Sequence, residues 1–407
     1  MKHWLKRVIE APLKQLEQDA RDRLQLAGLF SAESLADVML HVPESRRILV
    51  DELGLPEGTL LAILGLNRWP THQPIRLPSR YAVGGVLAPP GEQVPPALSE
   101  LRITAGQSEE RLPDHAFLTE RFGPCRSQGR VGACHAFATA NAWIGSADHC
   151  DELSAAFLFW ATKELDGIEQ DGSMLKYSAQ ALDRHGICRE QSHPYVPNRN
   201  VLQRRPPEIA FTEARQFRTH MQNVTVASAK DTARIKRQLA IDKRCIAIGT
   251  PIFGSSMHSL RFHQSGILVM RLGPSDPVVG GHAWCVCGYA DNSWLAHNSI
   301  SEMPGGGGFL IRNSWGGWAE RNPLATRIGA GAGYALMPYA YLASYGWEAL
   351  AVSVKTEVQK RSEHPVRIPR VSQWWNRVAA SVAADSISRL NRLVGIQTRA
   401  EESDNES

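Results

Sequence analysis

Between Leu5 and Leu26 the apolar positions Leu5, Val8, Ile9, Leu13, Leu16, Ala20 and Leu24 recur every three or four residues with acids and bases between them. That period predicts an amphipathic helix, kinked or divided at Pro12. Ser31 is placed to cap a second helix through Leu35, Val38 and Met39, and Pro56 opens a third through Leu60, Leu61, Ile63 and Leu64 that stops at Gly65. From Asn67 to about Glu110, prolines at 70, 74, 78, 89, 90, 95 and 96 together with Gly84-Gly85 exclude long helices and predict an extended arm across the next domain. Helical and β-type runs then mix from Leu112 to Val352: the Ala-rich stretch Cys134 to Ile144 reads as a buried helix, Cys245 to Gly249 and Trp284 to Tyr289 as strands. Further on, Trp375, Val378, Val382, Ile387, Leu390 and Val394 predict a C-terminal amphipathic helix, followed by an acidic tail that lacks an apolar anchor and reads as disordered. The chain divides into a helical module at 1–66, a Pro-rich arm at 67–111, a mixed α+β domain at 112–352, and a helix and tail at 353–407.

Composition narrows the class. Of 407 residues, 21% are charged and 43% hydrophobic, and the net charge is +4, values that suggest neither wholesale disorder nor a nucleic-acid partner. No 18-residue apolar run is present, so no membrane span is expected, and the N-terminus lacks the apolar core of a signal peptide. Seven cysteines in no framework spacing point to a reducing compartment, hence an expected cytoplasmic location. His282, Cys285 and Cys287 do not make a metal site on a strand, where 285 and 287 share a face and 282 takes the other. No cofactor or metal is expected.

Chemistry concentrates at three points. Cys134 opens the buried helix, five residues after Gln128-Gly129; His282 follows Gly280-Gly281 at the start of a β-type run; Asn313 ends the run Gly308 to Arg312. A thiol, an imidazole and a carboxamide in that order suit a nucleophile, its base and the group that orients the base, with Gln128 as a donor for a developing oxyanion. At the first helical turn the thiol feels the positive end of the backbone dipole, and a paired imidazolium lowers its pKa further, so a thiolate is expected before substrate arrives. The glycines before His282 leave its edge accessible, which places Gly281 among the substrate-contacting positions, and Trp315 is placed to shield the bond between imidazole and carboxamide.

Gln128-Gly129, Cys134, Gly281-His282 and Asn313-Ser314-Trp315-Gly316-Gly317-Trp318 together resemble the papain family of cysteine peptidases over roughly Leu112 to Val352. The resemblance implies an α+β papain-like fold of two lobes, a helical lobe carrying Cys134 and a β-barrel-like lobe carrying His282 and Asn313, with a peptide or protein substrate in the cleft between them. It also implies that the loop at Gly172 and Ser173 hydrogen-bonds an extended peptide. Around the nucleophile the chain departs from the family: Val131 stands where relatives have a disulfide cysteine, and His135 replaces an aromatic. A loose insert from Ser299 to Gly308 with four consecutive glycines reads as a flap over the cleft. For the N-terminal helices a structural cap, an inhibitory pro-region and a partner-docking module stay open. The C-terminal helix is a further docking candidate. His135 keeps a second functional reading in play, an inactive papain-like scaffold that binds peptides or partner proteins.

Overall fold

Ser31 accepts the Ser34 amide on its side chain while Ser34 Oγ accepts the Ser31 amide, a reciprocal cap that starts a helix where the sequence expects one. The computed structural model describes residues 16–73, 82–92, 95–98, 101, 112–147 and 151–354. The expected C-terminal helix, the acidic tail and the start of the first helix with Pro12 lie outside the described residues. The N-terminal module holds α1 (Gln18–Ala27), closed by Gly28 in the left-handed region at φ 83°, α2 (Ala32–His41), a π-helical turn (Arg47–Glu52), and α3 (Glu57–Ile63), which follows Pro56. No described helix is long and apolar enough to cross a membrane.

The module shares its core with the sheet that follows. Leu24, Leu35, Val38, Leu49 and Leu60 belong to one continuous apolar cluster with Phe253, Trp284, Leu310 and Trp318. Polar contacts fix the docking. Asp37 caps the short helix Leu260–Ser265, accepting from Ser259 Oγ and from the amides of Leu260 at 3.0 Å and Arg261 at 3.2 Å. Glu52 accepts the Ser275 amide at 3.1 Å, and Ala27 O accepts the Met270 amide at 3.2 Å.

The helical lobe comprises α4 (Cys134–Ser146), α5 (Ala155–Asp166), α6 (Leu175–His185) and α7 (Glu208–Arg218). Alanines at 136, 138, 140 and 142 keep α4 thin, so it lies buried against three strands of the sheet. The strands are β1 (His115–Phe117), β2 (Met221–Ser228), β3 (Ile246–Phe253), β4 (Val278–Asp291), β5 (Gly307–Arg312), β6 (Tyr334–Pro338) and β7 (Glu348–Val354). They pair antiparallel in the order β2-β7-β3-β4-β5-β6, with β1 on the far end of β4.

The insert expected as a flap is not one. Gly305 and Gly306, at φ 87° and 94°, form a tight turn, and Gly307-Gly308 open β5 itself. A Cβ on Gly305 would lie 2.6 Å from the Ala340 amide nitrogen, so the glycines serve close packing. Gly307 also pairs with Asp291, nine positions along β4 from His282, roughly 30 Å at strand rise.

Removing the Asp37 carboxylate leaves two helix-start amides of the other lobe without their acceptor. Asp37→Ala is expected to cost about 1 to 3 kcal/mol, read as a lower urea midpoint at unchanged slope. A shift within about 0.3 kcal/mol would mean that water satisfies those amides equally well.

Candidate active site

Cys134 is the first residue of α4, and its sulfur accepts the Ala283 amide at 3.3 Å. It therefore lies against the strand residue next to His282, though 148 positions separate the two in the chain. His282 stands on β4 and Asn313 directly follows β5, the strand paired to it, and His282 Nε2 lies 2.8 Å from Asn313 Oδ1.

The tautomer follows from the neighbours. Asn313 Oδ1 also accepts the Ser314 amide at 2.7 Å, which identifies that atom as the oxygen. His282 Nε2 is then the protonated nitrogen, and Nδ1 carries a lone pair; it is buried with no hydrogen-bond partner among the described residues. Trp315 covers the bond, its ring centroid 4.8 Å from that of His282. Gln128 is held at both ends of its carboxamide: Oε1 accepts from Ser314 Oγ, and Nε2 donates to Val131 O at 2.9 Å.

The cleft is occupied by the chain's own arm. Ala82 O accepts from Trp315 Nε1 at 3.2 Å and faces Gln128 Nε2 at 3.5 Å. Gly84 donates its amide to Gly281 O at 2.7 Å. Ser173 brackets Val86 in a parallel bridge, its amide donating to Gly85 O at 3.4 Å and its carbonyl accepting the Leu87 amide at 2.9 Å. Gly85 passes so near the thiol that a Cβ there would lie 2.6 Å from Cys134 Sγ, and one on Gly172 would lie 2.4 Å from Gly84 O. Val86 is buried next to Gly249 and Trp347.

Cys134, His282, Asn313, Gln128, Trp315, Gly281, Gly172 and Ser173 thus gather along one cleft. Gly85 and Val86 were not singled out in the sequence as site residues; their one signal was a Gly-Gly step in a stretch that excludes helices. Ser314, which fixes Gln128, sits within the Asn-Ser-Trp-Gly run without a feature that marks it. Among the described residues no group of His, Cys, Asp or Glu gathers as a metal site.

Burial reverses the expected ionisation. Enclosed beneath the arm, the Cys134 thiol is pushed up to about 12, and the His282 imidazole is pushed down to about 4 by burial, with the Asn313 bond opposing in part. In this closed form burial disfavours the charged state of both groups, the thiolate expected from the helix dipole included. His135 is likewise enclosed and held down to about 3 by burial and then by the Lys163 charge; its Nδ1 lies 3.0 Å from Ser178 Oγ and its ring tilts over Phe159.

An imidazole whose folded pKa lies below its unfolded value of about 6.5 takes up its proton more readily once unfolded, so stability falls as pH drops from 6.5 toward 3. Above pH 6.5 the ring is neutral in both states and exerts no such effect. The stability gap between wild type and His135→Gln, measured by urea unfolding at pH 7 and pH 4, is therefore expected to narrow by about 2 to 3 kcal/mol on acidification. A constant gap would place a protonated ring in the folded protein.

The model of the papain family cysteine protease matches residues 115–323, just over half of the chain. No curated protein matches the chain. Among solved structures, xylellain, a cysteine protease from Xylella fastidiosa, is 20% identical over 68% of this chain and 99% of its own, with a TM-score of 0.50. The digestive procathepsin L2 proteinase from Tenebrio molitor larval midgut is 14% identical over 67% of this chain and 78% of its own, with a TM-score of 0.46. On the family match, with the α+β papain-like fold alongside, the chain belongs to the papain family of cysteine proteases and is a cysteine peptidase.

Proposed function

We propose that the chain hydrolyses peptide bonds with Cys134 as nucleophile, His282 as base and then acid, Asn313 as the group that orients His282, and Gln128 as oxyanion donor, and that residues 82–87 hold this site closed. The observation that carries the reading is the His282–Asn313 bond, which commits Nε2 and leaves Nδ1 as the basic atom on a ring beside Cys134. Once a peptide replaces the arm, Nδ1 takes the thiol proton, sulfur attacks the carbonyl carbon, and the tetrahedral oxyanion is met by Gln128 Nε2. His282 returns the proton to the leaving amine, and water, deprotonated by the same nitrogen, cleaves the thioester.

Closure is supported by the arm's position: Ala82 O already faces the Gln128 donor and Gly85 covers the sulfur. The N-terminal module anchors the arm upstream through its docking on the sheet. Downstream, Arg271 accepts the Leu98 amide on its carbonyl at 3.1 Å, and Lys230 pairs with Glu92 at 3.2 Å. Of the roles open to the N-terminal segment, an inhibitory one fits these contacts best.

Val86→Asp places an unpaired carboxylate in the apolar pocket at a cost of several kcal/mol, which the arm escapes by leaving the cleft. Alkylation of Cys134 by iodoacetamide at pH 7 is expected to accelerate roughly 100-fold or more over wild type, with new termini appearing in a mixed peptide library. Cys134→Ala in the same background abolishes both, and Gln128→Ala lowers turnover roughly 100- to 1,000-fold. Rapid alkylation without new termini would favour an inactive peptide-binding scaffold; an unchanged alkylation rate would show that the arm does not limit access.

A further inference from the structure

The loop between α5 and α6 presents Ser173 to the cleft, and what holds the loop is a lysine that grips it by its carbonyl oxygens. Lys163, in the last turn of α5, directs its ammonium at Asp166 Oδ2 at 3.0 Å, Gln170 O at 2.5 Å and Gly172 O at 3.2 Å. An ammonium has three hydrogens and no acceptor, so these oxygens account for all of them. The side chain is 11% exposed and that of Asp166 is 0% exposed, and Asp166 Oδ1 in turn accepts the Ile168 amide at 2.9 Å. One buried ion pair thus fastens the loop at its start and at two carbonyls further on.

The position of the second carbonyl matters most. Gly172 C=O and Ser173 N–H belong to the same trans peptide plane and point in opposite directions. A carbonyl anchored on Lys163 therefore aims the Ser173 amide into the cleft, where it meets Gly85 O at 3.4 Å. The cation also draws electron density toward the Gly172 oxygen and makes that amide a better donor. Asp171 braces the same turn from the other side, with one carboxylate oxygen 3.5 Å from the Gly132 amide and the other 2.9 Å from Arg199 Nε.

We infer that Lys163 is a positioning residue of the peptidase: it sets the peptide plane through which Ser173 grips the backbone of whatever lies in the cleft, the arm in the closed form and an extended substrate in the open one. This rests on the proposed reading of the cleft as the catalytic site. Lys163 acts on the reaction only through that grip, so its loss weakens peptide binding and leaves the thiol and imidazole as they are.

Two measurements test this. In the full-length protein, Lys163→Met is expected to speed hydrogen exchange at least tenfold in the segments holding Ser173 and Leu87, with the exchange of α4 unchanged. In the Val86→Asp background, the same substitution is expected to raise KM for a peptide substrate about tenfold, with kcat and the iodoacetamide rate at Cys134 within twofold, and Lys163→Arg is expected to recover most of the KM. A fall in kcat and in the alkylation rate alongside the rise in KM, or faster exchange through α4, would reduce Lys163 to general scaffolding and overturn the inference. So would exchange and KM that do not move. If Val86→Asp is alkylated rapidly at Cys134 yet cleaves no peptide, the catalytic reading fails, and the exchange experiment still decides whether Lys163 governs the Ser173 grip.

Discussion

The register of β4 against β5, with Cys285 opposite Arg312, is the constraint on which the site depends. Three residues back from that pair His282 turns into the cleft, and one residue forward Asn313 leaves the strand with its carboxamide in reach. A slip of one position would turn every side chain of one strand to the opposite face and separate imidazole from carboxamide. The register is held from several sides. β3 and β1 pair with the two ends of β4, Arg312 reaches back to Gly123 O and Pro124 O at 2.9 Å, and Trp284 donates to Thr250 Oγ1 at 3.1 Å. The catalytic geometry is thus a property of the sheet, and α4 needs only to bring one sulfur to its surface.

The same burial that makes the site precise makes it silent. A thiol and an imidazole buried beneath Gly85 and Trp315 ionise poorly because burial takes the solvation from their charged forms. On the proposed reading the arm acts twice: it blocks entry, and by burying the thiol it disfavours the thiolate. Glycine is what allows this, since any Cβ at position 85 would collide with the sulfur it covers. The closing segment is also backbone-bound, at Gly281 and Ser173, which are groups an extended peptide would use. On the proposed reading, arm and substrate compete for the same hydrogen bonds, and the Lys163 clamp serves whichever occupies them.

Local chemistry made much of this readable along the chain. The Ser31 cap, the helix after Pro56, the thin helix at Cys134 and the strand runs at 245–249 and 284–289, which the structure extends to 246–253 and 278–291, each follow from neighbours within a few residues. Asn313 at a strand end and Trp315 beside it were legible for the same reason. The glycine run at 305–308 misled because glycine has two uses, freedom and closeness, and only the neighbour at Ala340 tells which applies.

By itself the sequence determined the helical module, the extended character of the arm and the order in which thiol, imidazole and carboxamide occur, because periodicity, capping and proline act over a turn or two. Tertiary structure alone decided that the arm runs through the cleft, that Asn313 commits one imidazole nitrogen, that burial disfavours the charged forms of thiol and ring, and that Lys163 meets the Gly172 carbonyl. Each of these rests on contacts between residues separated along the chain, and a pKa or a peptide orientation is set by what surrounds a group in space.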